Sequence, residues 1–336
     1  MNIIEICLNK IKMISNGAYH LFRSLYFVNR KRKNQDIDER THFDRSLLKS
    51  MKKFLEINKK TYEYIIFPFS NFREIEFNDT LTRIRVPFDL MVTKCIKVTF
   101  QEKSIYSLNL RRLIIGSCFN VSIPDSISNI VLNAIELYSI QKLNCDLSKL
   151  KAKKKITLKN LQLTSFPNIT THDKLYLDLQ KNYITKIPKI DKFSEINMTN
   201  NDLIELSYKN TYTYNGVENE TKNGCVFLDE SSFSNQAQRV IDNKGLGGGI
   251  KAIITNSNSK KLFEKILNFI KNAGPNLQKK DIKNEFIPNS YYIEISNNLE
   301  KYLNFLEPGK KKEIIDLFQT AFDLEIKVKR DFKILL

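Results

Sequence analysis

The chain has 336 residues, 42% of them hydrophobic, which excludes global disorder and allows one long domain with a smaller second unit. Lys and Arg outnumber Asp and Glu by 54 to 37, but the excess is spread out and no nucleic-acid-binding motif accompanies it, so general solvation by lysine is the reading and no nucleic acid is expected as a partner. Five cysteines without CxxC spacing and three scattered histidines (His20, His42 and His172) exclude a disulfide framework and a metal site, and no cofactor is expected.

Apolar residues at 3, 4, 8, 11, 14, 21, 22, 25 and 26 predict one or two amphipathic helices around Gly17. A clearer helix is predicted over 37–57, with Ile37, Leu47, Leu48, Met51, Phe54 and Leu55 on one face. Residues 1–58 are therefore expected to form an N-terminal helical segment that caps the next domain, the alternative being an interfacial membrane helix. Glu5, Lys10 and Lys12 interrupt the apolar start, so no cleavable signal peptide is evident, and no transmembrane run exists.

Between about residues 96 and 233 one short pattern recurs, apolar-x-apolar-x-x-Asn-x-apolar. Its clearest copies are LDLQKNYI (Leu177 to Ile184) and INMTNNDL (Ile196 to Leu203). ITLKNLQL, IVLNAIEL and LIIGSCFN fit with Leu161, Ile135 and Cys118 at the Asn place, and VTFQEKSI and VFLDESSF fit more loosely with Lys103 and Ser231. This is the leucine-rich repeat pattern. The first and third positions point into a core, and the Asn satisfies backbone groups that the turn leaves unpaired, so Leu161 and Ile135 should interrupt that ladder. Pro124, Pro167 and Pro188 each fall six residues after the Asn place, where proline blocks a helix on the convex side. The expected fold is an α/β repeat, a leucine-rich repeat solenoid over 59–243 with a parallel concave sheet. The last repeat holds an insertion, SYKNTYTYNGVENETKNG.

Ser234 is a plausible helix N-cap. The glycine run Gly245 to Gly249 lacks GK[ST], so 244–258 reads as a hinge leading into a strand at 250–255. Residues 259–336 show helical stripes at 262–270, 299–306 and 314–322 and form a small all-α C-terminal region.

The layout resembles the bacterial IpaH/SspH-type effectors, in which leucine-rich repeats precede a novel E3 ubiquitin-ligase (NEL) domain. GCVFLDESSFSNQAQRVI (Gly224 to Ile241) resembles the family's closing repeat, with Ser231-Ser232-Phe233-Ser234 in place of Asn-Pro-Leu-Ser. GGIKAIIT resembles its next strand, and DERTHFDRSLLKSMKKFLEI its helical cap. The resemblance implies secretion by a bacterium into the host cell cytoplasm, a virulence role, and a host protein as target. It also brings ubiquitin or an E2 enzyme into view as partners of residues 259–336. The family's nucleophile lies in a Cys-x-Asp motif, and no cysteine here is followed by Asp two places later, so the C-terminal region reads as a remnant that ends before that motif. A ligase without its thiolate cannot run, and enzymatic activity is not carried over.

The favoured function is therefore binding of a host protein through the concave face. An active ligase with an unusual nucleophile, or a regulator of a full-length relative, are the alternatives. The candidate partner-binding residues lie between the core positions: Thr99, Gln101, Ile114, Gly116, Val131, Asn133, Thr157, Lys159, Asp178, Gln180, Asn197, Thr199, Phe227 and Asp229.

Overall fold

The computed structural model describes residues 2–32, 37–59, 63–106, 109–207, 210–215, 224–251 and 253–254. The helical stripes at 262–270, 299–306 and 314–322 lie outside these residues. The chain divides into two compact units, Met1–Arg239 and Val240–Leu336.

Three helices open the first unit: α1 (Ile3–Ile14), α2 (Asn16–Arg32) and α3 (Ile37–Ile57). A reciprocal capping box starts α1, since Asn2 Oδ1 accepts from the Ile4 amide while the Asn2 amide donates to the Glu5 carboxylate. Apolar side chains at helical spacing are buried on each helix, among them Leu8 and Ile11, Leu21 and Phe22, and Leu47, Met51 and Phe54.

Thirteen strands come next among the described residues: β1 (Ile65–Ser70), β2 (Glu74–Phe77), β3 (Phe88–Thr93), β4 (Lys97–Phe100), β5 (Leu110–Gly116), β6 (Asn120–Ser122), β7 (Leu132–Tyr138), β8 (Lys142–Asn144), β9 (Ala152–Lys159), β10 (Tyr176–Asp178), β11 (Glu195–Asn197), β12 (Thr211–Tyr214) and β13 (Cys225–Leu228). They form two parallel sheets. The long one runs β1-β3-β5-β7-β9-β10-β11-β13-β12, and the short one β2-β4-β6-β8. The first unit is a parallel-sheet repeat solenoid with helices over its first turn.

Register explains the core. Phe67, Leu90, Leu113, Ile135, Ile156, Leu177, Ile196 and Val226 stack in one inward row. Two residues on, Phe69, Val92, Ile115, Leu137, Leu158, Leu179, Met198 and Leu228 form a second row, and no member of either row is more than 3% exposed. At the N-terminal end phenylalanines join helices to sheet. The Phe54 and Phe67 rings stack at 5.3 Å, Phe22 lies 5.3 Å from Phe69, and Phe43 lies 5.2 Å from Phe72. The cap thus closes the exposed end of the first rung.

Two copies of the sequence pattern are out of step with the structure. VTFQEKSI contains β4, which belongs to the short sheet, and IVLNAIEL runs five residues ahead of the copy that begins at Ile135. Two further copies, starting at Phe67 and Leu90, emerge only from the structure. With the observed register, the Asn place is held by residues 72, 95, 118, 140, 161, 182, 201 and 231, spaced by 23, 23, 22, 21, 21, 19 and 30 residues. For VTFQEKSI the reason is that the short sheet imposes the same alternation of apolar residues as the long one, and for IVLNAIEL it is the register shift between Leu132 and Ala134 within β7.

The Asn ladder is present where Asn is. Asn182 Oδ1 accepts from the Leu161 and Leu163 amides at 3.0 and 3.2 Å, and its Nδ2 donates to the Leu158 and Leu179 carbonyls at 2.7 and 2.9 Å. Asn201 repeats this one turn on, accepting from the Ile184 amide and donating to the Leu179 and Met198 carbonyls. Cys118 and Cys95 make the weaker version, with sulfur 3.3 Å from the Gly116 and Thr93 carbonyl oxygens. Next to Leu161 the backbone departs from the other turns, since Gln162 after it also takes a positive φ. Just before the Asn place, Asn71, Lys94, Ser117, Ser139, Asn160, Lys181 and Asn200 are all left-handed, with φ between +52° and +63°, which makes one sharp corner per turn.

The insertion supplies β12, which adds in parallel outside β13, so the chain skips one place in the sheet and returns. After Pro124 the chain makes a single 3-10 turn over Asp125–Asn129 rather than an α-helix. Ser234 caps a helix as expected, its hydroxyl accepting from the Ala237 amide at 3.3 Å. The hinge and strand expected at 244–258 are helix in the part described, 244–251 and 253–254, and the rest of that range lies outside the described residues. Residues 235–251 are helical, and Gly245 (φ +71°) turns the path between two helical segments. A Cβ at Gly249 would stand 2.4 Å from Ile241 Cα, so close packing of that turn, and not a flexible link, explains the glycine there.

Candidate functional site

Three rows of side chains point out of the long sheet, alternating with the two inward rows. The first contains Ile66, Asp89, Arg112, Ala134, Lys155, Tyr176 and Glu195. The second contains Pro68, Met91, Ile114, Glu136, Thr157, Asp178, Asn197 and Phe227. The third passes through Ser70, Thr93, Gly116, Tyr138 and Lys159 and continues over Gln180, Thr199 and Asp229.

Neighbouring strands tie these side chains into a network. Lys155 Nζ lies 3.3 Å from Glu136 Oε2 and 5.9 Å from the centre of the Tyr176 ring. Asn197 Nδ2 donates to Tyr176 Oη at 3.5 Å, while Asn197 Oδ1 accepts from the Thr199 amide and hydroxyl. Asp178 makes the same local turn, its Oδ1 accepting from the Gln180 amide at 3.1 Å. Burial pushes the Tyr176 and Tyr138 phenols upward, so both remain neutral donors around neutral pH.

Nearer the helices the face is more apolar. Asp89 is fully buried there, accepting from Arg112 Nε at 2.9 Å with Arg111 Nε 3.9 Å away. The Arg111 guanidinium lies 4.0 Å from the centre of the Tyr64 ring. Tyr138 lies flat over Gly116: a Cβ on that glycine would stand 2.0 Å from the ring.

Of the residues expected from the sequence, Ile114, Gly116, Thr157, Lys159, Asp178, Gln180, Asn197, Thr199, Phe227 and Asp229 lie on these outward rows. Asp229 is already engaged, its carboxylate accepting from Ser231 and Ser232. Thr99 and Gln101 belong elsewhere. Thr99 is on β4 of the short sheet, opposite Glu76, and Gln101 comes just after that strand, donating to Glu76 Oε1 at 2.6 Å. Val131 precedes β7, and Asn133 sits at its bulge, where the outward members are Ala134, Glu136 and Tyr138. These four misplacements stem from the two slipped copies. Sequence reasoning also misses Glu136, Lys155, Tyr176 and Glu195. The last three stand one step before the first apolar position, so extending the alternation upstream by one residue finds them.

Two of the thiols are held protonated. The Cys95 thiol is pushed far up, first by its hydrogen bond with Cys118 and then by burial, and burial pushes Cys145 up to about 12. Such thiols stay protonated and are poor nucleophiles. Among the described residues no cluster of His, Cys, Asp or Glu could hold a metal ion, and no helix is long and apolar enough to cross a membrane. Comparison with known proteins adds no relative: no family model, no curated protein and no solved structure matches the chain.

Proposed function

We propose that the chain is a binding scaffold that grips a protein partner through the outward face of its long sheet, which the curvature of a solenoid makes concave. The observation that carries this reading is the network that ties that face together, in which Glu136, Lys155, Tyr176 and Asn197 engage one another across β7, β9, β10 and β11. Its accessible charges balance, with Arg112, Lys155 and Lys159 and the adjoining Arg111 against Glu136, Asp178, Glu195 and Asp229, since Asp89 is fully buried. A face of balanced charge with interlocked polar side chains suits a folded protein surface. The finer reading is an effector-type protein, secreted by a bacterium without a cleavable signal peptide, that binds a host protein in the host cytoplasm. It rests on the resemblance of residues 36–258 to IpaH/SspH-type effectors. Ubiquitin transfer is left out of the proposal, because the sequence holds no Cys-x-Asp.

The correction to the site supplies the control. Crosslinking capture from host cytosol is compared for the unaltered chain, for Asp178→Arg with Gln180→Arg, and for Thr99→Arg with Gln101→Arg. A specific partner should be lost about tenfold or more with the first pair and retained with the second. Retention with the first pair and loss with the second would place the partner on the short sheet and refute the reading.

A further inference from the structure

Helix α1 carries two apolar faces. One, formed by Ile4, Cys7, Leu8 and Ile11, is buried in the cap. The other, formed by Ile3, Ile6, Met13 and Ile14, is open to water, with Met13 88% and Ile3 58% exposed. Intervals of three, four and three residues set Ile3, Ile6, Lys10 and Met13 along one side of the helix. The surrounding charge is net positive. Across α1 and α2 there are six cations (Lys10, Lys12, Arg23, Arg30, Lys31 and Arg32) and one carboxylate, Glu5, which accepts from the Asn2 amide, and α3, packed against α1, adds five cations and four carboxylates. Of the cations, Arg32 is paired with Glu76.

We propose that this ridge docks the protein on an anionic lipid bilayer, with α1 lying in the plane of the interface. Charge complementarity selects an acidic surface, and four protruding aliphatic side chains select one with a hydrocarbon interior. Lys10 decides between a bilayer and a groove on another protein. An ammonium amid apolar side chains in a protein groove needs a buried carboxylate opposite it, whereas at a bilayer the lysine stem lies along the apolar layer and its charge reaches the headgroups. The ridge belongs to α1 and the outward rows to the long sheet, so the two surfaces share no residue. Each cation near the surface strengthens binding about fivefold, and burying an Ile or Met side chain contributes about tenfold.

The full chain is tested by cosedimentation with phosphatidylcholine vesicles, with and without phosphatidylserine, at low and at physiological salt. Binding should require phosphatidylserine and weaken with salt. Ile6→Ser with Met13→Ser should reduce it at least tenfold, and Lys10→Gln by about fivefold. Thermal unfolding of these variants should match that of the unaltered chain, since all three side chains are exposed. Three results would overturn the proposal: no binding to phosphatidylserine vesicles at low salt, equal binding by the Ile6 and Met13 variant, or equally tight binding of polyglutamate or RNA with the same dependence on Ile6 and Met13.

Discussion

Replacing Asn182 by alanine is expected to destabilise the protein by about 3–5 kcal/mol, a large part of the stability of an ordinary domain. The side chain is 3% exposed and serves two consecutive turns at once. Its removal strands the Leu161 and Leu163 amides and the Leu158 carbonyl, while the Leu179 carbonyl keeps its bond from Asn201 Nδ2. Each buried group left without a partner costs about 1–3 kcal/mol, and local relaxation recovers part of the sum. Cys118→Ala at the same place in another turn should cost about 1 kcal/mol or less beyond its lost packing, because a thiol is a weak donor. Denaturant unfolding of both variants makes the comparison. Equal and small losses would show that the ladder does not hold the turns together.

The second large effect belongs to the cap. Phe67→Ala should cost about 3–5 kcal/mol, since its ring is fully buried between Phe54, 5.3 Å away, and Phe88, 5.5 Å away. In a stacked molecule each turn leans on its neighbours, so the damage should begin at one end. Amides of β1 and β3 should lose protection from hydrogen exchange first, while those of β9 to β11 keep theirs. Uniform loss across the sheet would mean that the solenoid unfolds as a single unit and that the helices do not act as an end cap.

These two residues also mark the limits of what the sequence discloses. Asn182 and Asn201 are legible because a side-chain amide offers an acceptor oxygen and a two-donor nitrogen together at a sharp corner, so chemistry narrows the residue type. Phe72 and Ile140 hold the same place and are invisible, because packing can fill it with any apolar side chain of suitable size. Phe72 joins Phe43 and Phe69 instead of bonding the backbone. The short sheet adds a further ambiguity, since Val98 and Phe100 alternate just as Leu90 and Val92 do. Where the phase is right, from Thr157 to Asp229, the outward residues are legible as well. Alternation does not disclose the network across strands, because the meeting of Glu136, Lys155 and Tyr176 depends on register. Gly245 reads as a flexible link in the sequence because glycine permits both a hinge and a fixed left-handed turn. The packing of Ile241 on Gly249, which decides between them, shows only in the structure.

Register is the foundation of both the core and the outward face, and trapping with paired cysteines tests it directly. Asp178 and Asn197 are partners across β10 and β11, about 5 Å apart as neighbouring strands require, within reach of a disulfide. Asp178→Cys with Asn197→Cys should therefore crosslink on mild oxidation, as read by mass spectrometry of the linked peptides. Gln180→Cys with Glu195→Cys, offset by about 13 Å along the strands, should not. A crosslink in the second pair and none in the first would contradict the stacking from which the partner face is built.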